Sequence, residues 1–292
     1  MSTDKWLITG ANGQLGSCAQ DLFKAKGIKF VALSSSELDV TDRLQVMSQL
    51  DQIKPTVVLN AAAFTAVDKA EAEQEVATAV NVEGPGLLAE WCDINNAVLI
   101  HISTDYVFDG VSSSAYKESD STAPMSVYGV TKLQGELLLA EKLERFLILR
   151  TSWVFSEYGN NFVKTMLRLG RDRDQLRVVN DQFGCPTYAG DIAEAAYILH
   201  LAAKQNDEGW GIYHYCGDVA VSWWEFARQI FNTAVAEGKQ SVSPILNGIP
   251  TSEYPTPAVR PLFSVLDCAK AEALSVELSD WKERLRIVIP KL

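Results

Sequence analysis

The stretch Trp6-Leu7-Ile8-Thr9-Gly10-Ala11-Asn12-Gly13-Gln14-Leu15-Gly16 decides the fold. A short β-prone apolar run meets three glycines spaced G-x-x-G-x-x-G, and a helix-forming segment, 14–25, follows. The spacing is one residue longer than the dinucleotide fingerprint G-x-G-x-x-G. Its glycines serve the same needs: a tight turn, close approach of main chain to a pyrophosphate, and tight packing of helix on strand. The helix N-terminus then faces the phosphates. The strand before this turn and the helix after it favour cofactor binding over an ordinary glycine turn.

Working outward, further apolar runs at 30–33, 56–60, 97–102 and 145–149 are too short and continuous for surface strands. Helical segments are expected at 43–52, 71–95 and 127–142. Strict alternation implies an α/β fold, a Rossmann-like doubly wound parallel sheet covered on both faces. The predicted NAD(P)-binding domain is 1–150. Residues 151–292 read as a smaller C-terminal α/β substrate-binding domain, some segments of which return to the first. There the rhythm changes to loops, a helix near 191–203 and a proline-bearing stretch, 244–261, expected to be a loop fixed by contacts.

Composition narrows the classes. Of 292 residues, 47% are hydrophobic and 22% charged, ordinary for a globular chain. A formal net charge of -11 without any Lys/Arg run argues against nucleic acid, although a small anionic ligand needs only a few local donors. The start, MSTDKWLITG, places a charge where a secretory signal needs its apolar core, and no run approaches a membrane span. A soluble, cytoplasmic protein is expected. The 5 cysteines, with no Cys-x-x-Cys pair, read as buried reduced thiols, and His101, His200 and His214 as structural residues rather than metal ligands.

The ends of the expected strands carry the chemistry. Leu33-Ser34-Ser35-Ser36 closes the second strand with neither a carboxylate to repel a 2′-phosphate nor an Arg to grip one, which favours NADPH with NADH tolerated. Asn60-Ala61-Ala62-Ala63 closes the third, where small residues let a flat cofactor lie close to the main chain. The fourth ends in Ser103-Thr104-Asp105-Tyr106, and Tyr128 and Lys132 follow four residues apart, one turn of a helix. A tyrosine with a free pKa of about 10 needs help to work near neutrality. A lysine one turn away lowers that pKa, and Thr104 donates to the substrate oxygen. The set suits hydride transfer at a carbon bearing oxygen.

The glycine turn, Thr104 and Tyr-x-x-x-Lys resemble the extended short-chain dehydrogenase/reductase superfamily. NAAAFTAVDKAE (60–71), STDYVFDG (103–110), PMSVYGVTKLQGE (124–136), RTSWVF (150–155), GNNFVKTMLRL (159–169) and NDQFGCPT (180–187) are similar to the dTDP-4-dehydrorhamnose reductase family over nearly the whole chain. The resemblance implies reduction of the C4 ketone of dTDP-4-dehydro-6-deoxy-L-mannose to dTDP-L-rhamnose by NADPH. It makes Tyr128 the proton donor and Lys132 its tuner, bound to the nicotinamide ribose. Gly10, Asn12, Gly13, Gln14, Leu15, Gly16, Asp39, Val40, Ala61, Ala62, Ala63 and Thr65 line the cofactor. Val67, Thr104, Asp105, Tyr106, Trp153, Asn160, Gln182 and Arg260 meet the substrate, Arg260 at a phosphate. Tyr106 stands where related dehydratases carry the glutamate that removes a C5 proton, so dehydration is not expected. Another nucleotide-sugar 4-reductase, a 4-epimerase and a non-catalytic regulatory subunit of this fold remain open alternatives. Some members hold magnesium at a dimer interface through glutamates near the glycine turn. Here Leu15, Gly16, Ser17 and Cys18 stand there, so no metal is expected and a homodimer stays open.

Overall fold

The structure, a computed structural model, describes residues 4–206 and 209–292. The opening run forms β1 (Trp6–Thr9), wholly buried, and the glycine turn leads into α1 (Gln14–Lys26). β2 (Phe30–Leu33), α2 (Arg43–Ile53) and β3 (Val57–Asn60) follow, then the short α3 (Val67–Ala70) and α4 (Gln74–Thr78). A π-helical turn, Ala79–Glu83, joins α4 to α5 (Gly84–Ile94), and β4 (Val98–Thr104), α6 (Val127–Lys142) and β5 (Phe146–Thr151) complete the first half.

The segment 71–95, expected as one helix, is therefore interrupted. Pro85 has no N–H to donate to the carbonyl of Asn81, and the ladder widens into a π turn there.

β1 to β5 lie parallel with β10 (Gly211–His214) in the order β10-β5-β4-β3-β1-β2. The chain leaves β1 outward to β2 and returns to β3 on the other side, so the switch point lies between β1 and β3. α1 and α8 (Ala189–Gln205) cover one face through a core that includes Ile8, Phe23 and Leu199. On the opposite face α2, α5 and α6 bury residues such as Val46, Leu88 and Leu139.

The second half adds β6 (Val154–Phe155), α7 (Phe162–Asp172), β7 (Gln175–Val179), β8 (Phe183–Gly184) and β9 (Thr187–Tyr188) before α8. After β10 come β11 (Val221–Ser222), α9 (Trp223–Ala236), β12 (Ile245–Ile249), α10 (Ala269–Glu272) and α11 (Trp281–Val288). Phe155, Phe226, Phe231 and Trp281 centre a separate core under α7, α9 and α11. The proline-bearing stretch is not all loop. β12 pairs in parallel with β7 over its full length, and Pro244 and Pro250 bound the strand rather than interrupting it.

Candidate functional site

The carboxyl ends of β1 and β3 form a crevice made of main chain. Gly10 has φ 63°, and a Cβ there would lie 2.7 Å from the Ala62 nitrogen and 2.8 Å from the Ala61 carbonyl. At Gly16 a Cβ would come within 2.3 Å of the Gly10 oxygen, so helix and turn touch backbone to backbone. Gly13 precedes α1 in extended conformation without a side-chain cap, and the first turn of α1 carries no acid. Its N–H groups are thus left for an anion, and the cradle fits the pyrophosphate of a dinucleotide.

Around this cradle the expected residues divide. Asn12 and Gly13 are exposed, and Ala61, Ala62 and Ala63 are half-buried beside them. The Leu15 side chain enters the core instead, which leaves the cofactor only its main chain. The Gln14 amide turns to the second half, donating to the Val154 carbonyl at 3.3 Å and accepting from Asn161 at 2.9 Å and Ser156 at 3.1 Å. Asp39 is exposed and accepts from Thr41, Val40 is buried against Gly84, and Thr65 is exposed.

The end of β2 does hold a carboxylate, contrary to expectation. Glu37 folds back to accept from the Ser34 N–H at 2.8 Å and its hydroxyl at 2.6 Å, bonds that hold its pKa below the usual range. Sequence order places Glu37 past the strand, and the turn 34–37 brings it back. Asn81 was also missed. From the π turn its side chain bonds both Phe64 N–H and carbonyl, at 2.9 and 3.2 Å, and Thr131 at 3.2 Å, so it pins the loop after β3 to α6. A Cβ on Gly135 would strike the Asn81 carbonyl at 2.0 Å, which explains the close approach.

α6 carries Tyr128 and Lys132 to the end of β4. Ser126 caps it by accepting from the Gly129 N–H at 3.2 Å, and Glu71 accepts from the Val127 N–H at 2.9 Å. Further along, Glu136 is buried with Arg150 of β5, whose Nη2 donates at 2.7 Å, and with the Ser103 hydroxyl of β4. Breaking a buried pair of this kind costs about 3–5 kcal/mol, so it fixes the helix on the strands.

Thr104 is buried, donates to Asp105 Oδ1 at 3.0 Å and accepts from the Tyr106 N–H at 3.2 Å. The rings of Tyr106 and Tyr128 meet edge to face at 5.5 Å. Burial raises Tyr128 well above its ordinary pKa, against a hydrogen bond with Thr104, and it pushes Tyr106 up to about 12. The tuning expected from Lys132 is not in place here. Its amine lies 2.7 Å from the Ile102 carbonyl and 3.0 Å from His101 Nε2, and burial lowers it to about 8. Asp105, also buried, is pushed up to about 6, and its Oδ2 has no hydrogen-bond partner.

Beyond Tyr106 a groove of about 570 Å³ opens between α7, β7 and β12, lined among others by Phe162, Arg177, Gln182, Trp223, Tyr254 and Arg260. Gln182 is buried, bonded to Trp223 Nε1 at 3.2 Å and Thr251 at 3.1 Å. Arg260 reaches across the site, bonding Asp68 at 2.7 Å and the Tyr106 hydroxyl at 3.3 Å, next to Val67 at the start of α3. Trp153, at φ 46°, stacks on Trp223 with 3.5 Å between centroids, so one of its faces is taken by protein. Asn160 is exposed, and its neighbour Asn161 makes the contacts.

All five cysteines are free and buried, and three of them cluster: the Cys216 and Cys268 sulfurs lie 3.6 Å apart, beside Cys185. Among the described residues no group of His, Cys, Asp or Glu is arranged to hold a metal, and no helix is long and apolar enough to cross a membrane.

Residues 4–292 match the family described as RmlD substrate binding domain. A dTDP-4-dehydrorhamnose reductase of Aggregatibacter actinomycetemcomitans is 48% identical over 285 residues, 96% of either chain. The chain belongs to the dTDP-4-dehydrorhamnose reductase family. Members of this oxidoreductase family share the fold throughout. The reductase structure from Clostridium acetobutylicum superposes with a TM-score of 0.88 at 39% identity, covering 98% of each chain. That from Bacillus anthracis, solved in complex with NADP, gives 0.89 at 33% identity over 100% of both. The Rossmann-like sheet and the oxidoreductase class expected from the sequence thus hold.

Proposed function

We propose that this enzyme reduces the C4 ketone of dTDP-4-dehydro-6-deoxy-L-mannose to dTDP-L-rhamnose with NADPH, in the cytoplasm. The observation that carries the reading is convergence: at the end of β4, Thr104 accepts from the Tyr106 N–H and the Tyr106 ring meets Tyr128 edge to face, and Gly10 and Ala61 form the crevice at the ends of β1 and β3. NADPH supplies the hydride. The first-turn N–H groups of α1 and the glycine turn hold its pyrophosphate, Ala61 to Ala63 leave room for its flat parts, and Lys132 takes the nicotinamide ribose.

The rest falls to the chain. Thr104 and Tyr128 hydroxyls polarise the C4 carbonyl, and Tyr128 gives its proton to the oxygen as charge develops there. Asp105 offers its unpartnered Oδ2 to a sugar hydroxyl. The diphosphate and base lie in the groove between α7 and β12, where Arg260 exchanges Asp68 for phosphate and aromatic rings face the base.

Purified protein given enzymatically prepared dTDP-4-dehydro-6-deoxy-L-mannose should consume NADPH and yield dTDP-L-rhamnose. Absorbance at the nicotinamide band that stays constant with both NADPH and NADH sinks the reading.

A further inference from the structure

Gln182 and Trp223 line the groove, yet their polar atoms are engaged with the protein. The indole N–H of Trp223 can only donate, and it does so to Gln182 Oε1 at 3.2 Å. That orients the amide, whose nitrogen donates to the Thr251 hydroxyl oxygen at 3.1 Å. The Thr251 hydroxyl donates in turn to Asp181 at 2.6 Å, and the same carboxylate accepts from the Thr251 N–H at 2.9 Å. The donors therefore run one way, from Trp223 through Gln182 and Thr251 to Asp181. Gln182 is only 4% exposed, so water competes little for its amide.

The ring at the head of this relay covers Trp153. The two indoles are parallel to within 6°, with centroids 3.5 Å apart. Carbon atoms touch at about 3.5–4.0 Å, so the rings overlap with almost no offset. Ring quadrupoles favour an offset pair, and the overlap is thus held from outside. The hydrogen bond to Gln182 fixes the Trp223 ring, and the capping box of Ser222 and Glu225 fixes its main chain at the start of α9. Trp153 has φ 46°, a left-handed conformation that large side chains seldom adopt, and a Cβ at Gly184 would lie 2.5 Å from its Nε1. β11 pairs with β8, Val221 opposite Gly184, and so ties together the two neighbours that confine the Trp153 ring. Thr151, two residues earlier, is the register partner of Thr104, so Trp153 leaves β5 just past the end of β4.

We infer that Gln182 and Trp223 are positioning residues: Gln182 fixes the plane of Trp223, and Trp223 fixes the plane in which Trp153 meets the hexose. The inference rests on the reading of Trp153 as a contact of the sugar. Gln182 then acts through two rings rather than by touching the substrate, and the nucleotide half of the substrate does not depend on it.

The test combines circular dichroism of the full chain with titration calorimetry. Two indoles stacked this closely share their excited states and give a paired positive and negative band in the far ultraviolet. Among 7 tryptophans the band is assigned by its loss in both W153F and W223F. Q182L should weaken it. It should also weaken the binding of dTDP-L-rhamnose about tenfold while that of dTDP, which has no hexose, stays unchanged. A band of full strength in folded Q182L overturns the inference. An equal loss for dTDP and dTDP-L-rhamnose also overturns it, because Gln182 then touches the nucleotide. If Q182L does not fold, W223F keeps a ring but lacks the N–H, and it should show the same selective loss for dTDP-L-rhamnose. W223F with undiminished dTDP-L-rhamnose binding overturns the inference. Where both fold, W223F/Q182L should bind no worse than the weaker single variant, since both break one bond. Additive losses overturn it as well. A band weakened in Q182L together with no turnover by the parent keeps the relay and overturns the reductase reading instead.

Discussion

The crevice at the ends of β1 and β3 is built from main chain, whereas the groove between α7, β7 and β12 is built from side chains. In the crevice, glycines and alanines let backbone meet backbone, and one added methyl at Gly10 or Gly16 has nowhere to go. In the groove, Arg177, Gln182, Trp223, Tyr254 and Arg260 converge from segments far apart in sequence. Main chain offers the same N–H groups to any phosphate, so the crevice suits a cofactor shared by many enzymes. Side chains can be exchanged one at a time, so the groove suits a substrate that differs between enzymes. Tyr128 packs on Tyr106, whose hydroxyl Arg260 reaches from the groove.

Three substitutions press on this contrast in falling order of effect. Y128F removes the proposed proton donor and little else, so kcat should drop by about 10²–10⁴-fold with KM for both reactants within a few-fold. A loss divided equally between kcat and KM makes the tyrosine structural rather than catalytic. G16A drives a Cβ into the Gly10 oxygen, at 2.3 Å. Overpacking of this kind costs about 1–3 kcal/mol. The expected readout is NADPH binding weakened by about 30-fold, measured by fluorescence titration, with dTDP binding unchanged. R260Q should do the opposite. One charge-assisted contact is worth about 1.5–3 kcal/mol, reduced here by the loss of Asp68 that precedes it, so KM for the dTDP-sugar should rise about tenfold. Equal weakening of NADPH and dTDP-sugar in either variant breaks the division into two separately built halves.

The same contrast governs what could be read in the sequence. β1, the glycine turn and α1 were legible because apolar run, glycine spacing and helix are local and lie within a single stretch. Thr104, Tyr128 and Lys132 were legible as types at strand and helix ends. The carboxylate of Glu37 was not, because it returns to Ser34 only through a turn. Nor was Asn81: a lone Asn inside a helical stretch gives no hint that Pro85 opens a π turn beneath it. β12 escaped because prolines at both ends read as loop when only their number is weighed. The stacking of Trp153 on Trp223 and the three-cysteine cluster join residues distant in sequence, and no periodicity announces such contacts.

Asp105 supplies the most direct measure of how dry the end of β4 is. Burial pushes its carboxyl up to about 6, while the neighbouring Ser264 and Thr104 hydroxyls pull it down. Between about pH 4 and 6 the unfolded chain has given up this proton and the native state still holds it. The native state therefore binds more protons in that window, and stability falls as pH rises through it. Above about 6 the penalty is complete and constant. D105N carries no charge to bury, so its stability relative to the parent should climb across the window and then level, by about 2–3 kcal/mol in all. Urea midpoints at pH 4.5, 5.5 and 7 measure it. A difference that stays flat with pH means water reaches Oδ2, and the end of β4 is then an open site in which Thr104 and Tyr128 must compete with solvent for the ketone.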